Sequence, residues 1–133
     1  MATHSHFYEL TIWQESRAAF KAVILLVNAC RAAKDHRFRD QLSAAAGSAA
    51  DNIAEGFERG GTNEFIDFLP IAKGSTGKVR SQLYRGIGLG HCEESAAMLE
   101  VKRYDQLAAN LSGCMSYLCK SGRRGIKFKD LQG

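Results

Sequence analysis

Four cations stand at helical intervals in the stretch from Thr62 to Gly90: Lys73, Lys78, Arg80 and Arg85. Lys73 and Arg80 are seven residues apart, as are Lys78 and Arg85. On a helix each pair forms one row, the second lying about 120–140° around from the first. Repeated positive charge of this kind suits a phosphate backbone, because each Lys or Arg contact releases condensed counterions. A second group, Arg123, Arg124, Lys127 and Lys129, lies in a glycine-punctuated segment with no acid before Asp130. Short basic arms bind nucleic acid, but they also simply end soluble chains. Tyr84 and Phe128 are the aromatic residues near these cations that could stack on bases, and reading of a specific base sequence is not expected. The same cations could instead form a solvated face, and both meanings stay open at this point.

Catalysis has one foothold. Arg31 and His36 stand in R-x4-H spacing, which resembles the active-site motif of small helical ribonucleases of the HEPN group. An imidazole there could move a proton beside an arginine that steadies a phosphate. However, Ala32 stands where that motif carries a polar residue, and the pair falls on an earlier helix than the motif does. No nucleophile elbow, zinc-protease motif, P-loop or dinucleotide fingerprint occurs. His91 and Cys92 offer two ligands, too few for a closed zinc site. The reading is of a protein that is not an enzyme and holds no cofactor or metal.

The elements that must carry these residues are helices. In Thr62–Gly90 the apolar or small positions Phe65, Leu69, Ala72, Thr76, Val79, Leu83, Gly86 and Gly90 keep four-and-three spacing, which predicts one long amphipathic helix. A helix of roughly 40 Å has to lie against others of similar length to hide such a stripe. A first helix is expected at about 10–34, with Leu10, Trp13, Phe20, Ile24 and Val27 as its stripe and Ile12, Ala19, Val23, Leu26 and Cys30 widening it. That width suggests burial on two sides, one of them against a second subunit. A second helix is expected at about 38–58, with Phe38, Leu42, Ala45, Ala46, Ala49, Ile53 and Phe57 inward and Asn52 beside them, needing hydrogen-bond partners if buried. Gly60-Gly61 ends it, and Thr62 or Asn63 should cap the third helix. Pro70 lies within that third helix and predicts a kink or bulge. A fourth helix should begin at Glu93-Glu94, with the seam Ala97, Val101, Tyr104, Ala108, Leu111, Met115 and Leu118. The whole reads as an all-α, antiparallel up-down-up-down four-helix bundle over 9–121, with a flexible arm at 1–8 and a basic tail at 122–133.

Composition agrees. A chain of 133 residues, 45% hydrophobic with one proline, can bury a single core without disulfides. No segment is apolar enough to span a membrane, no secretory leader is visible, and the four cysteines lack a secreted framework, so a cytoplasmic location is expected. The net charge of +4 is unevenly spread: residues 1–66 carry seven Lys/Arg against eight Asp/Glu, and residues 67–133 carry eleven against six. The excess on one half hints at an anionic partner.

FYELTIWQESRAAF near the start, DNIAEGFERGGTNEFIDFLPIAKGS at 51–75 and SQL at 81–83 resemble the bacterial four-helix-bundle proteins encoded in intervening sequences of large-subunit ribosomal RNA genes. The resemblance covers roughly residues 7–119 and extends to the accessory variability determinant of diversity-generating retroelements. It implies a homo-oligomeric ring, typically a homopentamer. It also implies an accessory role with RNA or DNA and with a protein partner such as a reverse transcriptase. Five copies of +4 would give such a ring about +20. Three positions depart from the family pattern: Asp51 replaces a proline, Pro70 replaces a large or neutral residue, and Lys78-Val79-Arg80 replaces a segment that tends to carry an acid and a leucine. The last departure makes the third helix more basic. The function expected is therefore non-catalytic and nucleic-acid-binding, with a protein-interaction scaffold of incidental charge as the alternative and a ribonuclease as the second.

Overall fold

A computed structural model describes residues 4–29 and 34–121. Cys30, Arg31, Ala32 and the basic tail with Arg123, Arg124, Lys127, Phe128 and Lys129 lie outside the described residues. Four helices, α1 (Thr11–Ala29), α2 (His36–Glu58), α3 (Thr62–Gly88) and α4 (Glu94–Ser121), make up the structure together with a 3-10 turn at Phe7–Glu9; among the described residues there are no strands. None of the helices is long and apolar enough to cross a membrane.

Each helix packs on two neighbours in chain order. Phe20 of α1 faces Gly47 of α2, where an added Cβ would lie 3.7 Å from the ring. Ser48 of α2 and Ser75 of α3 place their hydroxyls 2.9 Å apart. Arg80 of α3 reaches Asp105 of α4 at 3.0 Å, and Asn110 of α4 donates to Glu15 of α1 at 3.2 Å. The three pairs on consecutive helices lie about equally far, in sequence, on either side of the link between them, which is the register of antiparallel neighbours. This is the four-helix bundle expected.

The stripes of α2 and α3 are buried as read: Phe38, Leu42, Ala45, Ala46, Ala49, Ile53 and Phe57 on one, Phe65, Leu69, Ala72, Thr76, Val79, Leu83 and Gly86 on the other. Burying one large apolar side chain stabilises the fold by about 1.5–3 kcal/mol, and α3 alone withdraws Phe65, Leu69, Val79 and Leu83 completely. On α4, Leu107 and Cys114 join the expected seam, and Met115 is only partly covered. On α1 the buried face is Ile12, Ser16, Ala19, Val23 and Val27; of the expected stripe Val27 is buried, the widening residues Ile12, Ala19 and Val23 join it, and Trp13, Phe20 and Ile24 are only half-buried. Ser16 satisfies its own hydroxyl on the carbonyl of Ile12 at 2.8 Å, so a polar residue sits on the seam without an unpaired donor. Trp13 and Phe20 flank the core half-buried, and Leu25 stands out at 63% exposure.

The helix ends correct several details. Asp35 is the N-cap of α2, its carboxylate accepting the N–H of Phe38 at 3.1 Å, so the helix starts two residues earlier than expected. Gly60 takes φ +83° and Gly61 is the N-cap of α3; neither Thr62 nor Asn63 caps it. The Glu64 carboxylate folds back against Gly61, where a Cβ would collide with it. The helix runs unbroken through Pro70, which is exposed to solvent; no bulge interrupts it. Phe7 and Tyr8, expected in a free arm, form a turn with Glu9, whose carboxylate accepts the N–H groups of Ser5 and His6 at 2.8 Å, and Phe7 packs edge-on to Trp13 at 5.2 Å.

Candidate functional site

The outward face of α3 carries the cations singled out by the sequence. No acid occurs between Phe68 and Cys92, so everything from the second turn of α3 to the next link is neutral or basic. Lys73, Lys78 and Arg85 are exposed and, among the described residues, make no ion pair. Arg80 differs. Its guanidinium is 29% exposed and bound to Asp105, so its charge is partly neutralised at the α3–α4 seam. The row Lys73–Arg80 therefore ends in an ion pair, whereas the row Lys78–Arg85 is open along about 10 Å of helix. Tyr84 is 54% exposed one residue before Arg85 and offers a ring face to solvent.

The link end of α3 adds a feature that sequence spacing hid. His91 Nε2 lies 2.9 Å from Asp35 Oδ2, joining residues 56 apart, and the His91 ring stands edge-on to Phe38 at 5.3 Å. The Phe38 N–H, then His91, hold the Asp35 carboxyl below its ordinary value. Cys92 is buried and meets the position a Cβ on Gly86 would take, so neither member of the His91-Cys92 pair is free to ligate a metal. Among the described residues no cluster of three potential metal ligands forms. His36 is exposed at the start of α2 and its Nδ1 accepts from Arg39 at 3.2 Å; its expected companion Arg31 lies outside the described residues. Burial pushes the Cys114 thiol up to about 12, leaving it unreactive.

The residues that carried the resemblance form the α2–α3 corner. Asn52 is half-buried and donates to the carbonyl and hydroxyl of Ser48 at 2.8 and 2.9 Å, which answers its need for partners. Ile53 is fully buried. Gly56 is where the two helices approach most tightly: a Cβ there would lie 2.7 Å from Phe68 Cβ. Glu55 pairs with Arg59, whose guanidinium sits 5.0 Å over the Phe68 ring. A family model described as 23S rRNA-intervening sequence protein matches residues 8–113. The chain belongs to this family. A search of curated proteins finds no match. The family match takes in α1, α2, α3 and all of α4 but its last two turns, and the block Asn52–Gly56 near its centre lies at a corner between helices. Ile53 and Gly56 of that block serve packing, while Lys73, Lys78 and Arg85 of α3 face solvent.

One concave surface lies elsewhere. A groove of about 420 Å³ runs between α1 and α4, walled by Glu15 and Ala18 on one bank and by Leu99, Lys102, Arg103 and Leu107 on the other. Leu99 is 67% exposed, the most exposed large apolar residue described. Neither helix advertised this groove in its sequence, because the gap depends on how the two banks are spaced.

Proposed function

We propose that this chain is a non-catalytic accessory protein that assembles into a homo-oligomeric ring, a pentamer, and binds RNA or DNA without sequence specificity. The observation that carries the reading is the acid-free stretch of α3, where Lys73, Lys78 and Arg85 stand exposed and, among the described residues, without ion pairs. Such charges cost nothing to redirect onto phosphates, because no internal partner has to be given up. Arg80 contributes at the edge of that surface, and Arg123, Arg124, Lys127 and Lys129 of the basic tail, outside the described residues, add to the charge available for the same partner. Assembly multiplies the field, since five copies bring five such faces together. A protein partner, a reverse transcriptase by the resemblance, would act beside the nucleic acid.

The test is a titration of labelled single- and double-stranded RNA and DNA at about 50 and about 200 mM salt. Binding at micromolar concentration that weakens steeply with salt is expected, and the double substitution Lys73→Glu with Lys78→Glu should weaken it tenfold or more at the lower salt. Unchanged affinity in that variant would remove α3 from the interface. The mass in solution should be about five times the 14.6 kDa of one chain, and a monomer would end the ring reading. The groove between α1 and α4 favours a second reading, a protein-interaction scaffold whose charge is incidental, and absence of nucleic-acid binding at low salt would select it. RNA cleavage lost on His36→Ala would instead establish a ribonuclease.

A further inference from the structure

Two hollows adjoin at the pole of the bundle where α1 is linked to α2 and α3 to α4. One, of about 320 Å³, has Arg37 and Arg85 in its wall beside Phe38. The other, of about 570 Å³, has Lys34 and His91. Asp35 and Leu89 stand in the walls of both. Four basic side chains, Lys34, Arg37, Arg85 and His91, thus come from four separate segments: the α1–α2 link, the first turn of α2, the last turn of α3 and the α3–α4 link.

Their electrostatic state favours an anion. Lys34, Arg37 and Arg85 make no ion pair among the described residues. The one acid in the described walls, Asp35, is already engaged, by the Phe38 N–H at 3.1 Å and by His91 at 2.9 Å. Three permanent cations against one carboxylate leave a net of +2. The positive end of α2 points to the same pole. Arg37 and Arg85 bring planar forks able to hold two phosphate oxygens each, and Leu89, 58% exposed between the hollows, offers an apolar rest for a sugar or base edge.

We propose that this pole binds a phosphate monoester, the dianionic group carried by the end of a nucleic-acid strand or by a free nucleotide. The proposal rests on the nucleic-acid reading for its biological source: a strand following the open Lys78–Arg85 row along α3 arrives at this pole, and Arg85 belongs to both surfaces. A monoester fits better than a backbone diester on two counts. Its two charges match the net +2, and paired hollows at the end of a bundle receive a terminus, whereas a diester needs a groove open at both ends.

The test uses the full chain and a labelled eight-nucleotide RNA with a 5′-phosphate, with a 3′-phosphate, or with hydroxyls at both ends. AMP and inorganic phosphate serve as competitors, and the ring resonances of His91 serve as a local probe. A phosphorylated end should bind on the order of tenfold tighter than the hydroxyl-ended strand, and Arg37→Gln should erase that preference. Arg37 is exposed and makes no ion pair in the bundle, so the variant should fold as the parent does. Equal affinity for all three strands would overturn the site while leaving the nucleic-acid reading intact, and so would a preference that survives Arg37→Gln. If no strand binds but AMP or phosphate still shifts His91, the site stands with a free nucleotide or phosphate as its ligand, and the nucleic-acid reading falls.

Discussion

Gly56 and Asp35 show how single positions set the limits of this bundle. A Cβ on Gly56 would lie 2.7 Å from Phe68 Cβ and 3.1 Å from Phe65 Cδ1. Neither contact is with the tip of a long flexible chain, so Gly56→Ala must push α2 and α3 apart and should cost about 1–3 kcal/mol, read as a lower denaturant midpoint at unchanged slope. A midpoint equal to the parent's would show that the corner can give. Asp35 acts through charge. Its carboxyl is held below the ordinary 3.8, first by the Phe38 N–H and then by His91. The stability it lends is therefore complete above that ordinary value and lost as the pH falls through the lower, folded one. Asp35→Ala should melt below the parent at neutral pH, and the two curves should converge in strong acid. A gap independent of pH would mean that the carboxylate charge plays no part.

Among the elements, α3 carries the strongest tension between packing and exposure. Its inner stripe is buried from Phe65 to Gly86, the expected Gly90 lying exposed beyond the helix end, yet Gly74 stands outward with nothing within 4 Å of where a Cβ would be. A glycine in an exposed helix interior is about 1 kcal/mol worse than alanine. Gly74→Ala should therefore raise the stability of the isolated chain by about 0.5–1 kcal/mol, measured by thermal or denaturant unfolding. Loss of stability would indicate that something in the assembled protein approaches that backbone closely. The elements also show what periodicity reveals. The faces of α2 and α3 were legible because Leu, Ile, Val, Phe and Ala recur there at four-and-three spacing, although Gln82, buried beside the α3 stripe, was missed. The face of α1 was legible in part: Leu10, Ile12, Ala19, Val23 and Val27 are buried, but Ser16, which hides its hydroxyl on Ile12, was missed, and Trp13, Phe20 and Ile24 are only half-buried. Helix starts were less legible. Asp35 caps α2 and Gly61 caps α3, and a glycine cap leaves no side-chain signature to distinguish it from the threonine and asparagine that follow.

For the molecule as a whole, the helices sort the α3 cations into open and paired ones. Sequence spacing placed Lys73, Lys78, Arg80 and Arg85 on two equal rows, and exposure agrees for three of them. Spacing could not show that Arg80 meets Asp105 across the α3–α4 seam or that Asp35 meets His91 across 56 residues, because such pairs exist only once helices are arranged. The pole hollows were illegible for the same reason: their walls come from four segments, none remarkable alone. The candidate surface should consequently respond unequally to charge removal. Lys78→Gln, taken from the open row, should reduce the slope of log affinity against log salt by about one contact, and Arg80→Gln by less. Equal losses would mean that Asp105 does not hold Arg80 when nucleic acid is present.

The contact between Asp35 and His91 has a topological consequence. The backbone joins the hairpin α1–α2 to the hairpin α3–α4 at a single corner, the one built around Gly56 and Gly60. At the opposite pole no peptide bond spans the hairpins, and the two links are fastened there by the Asp35 carboxylate and the His91 ring. That fastening turns an open chain of four rods into a circuit closed at both ends. Amides in the two links, far apart in sequence, should then gain and lose protection against hydrogen exchange together, as one opening unit.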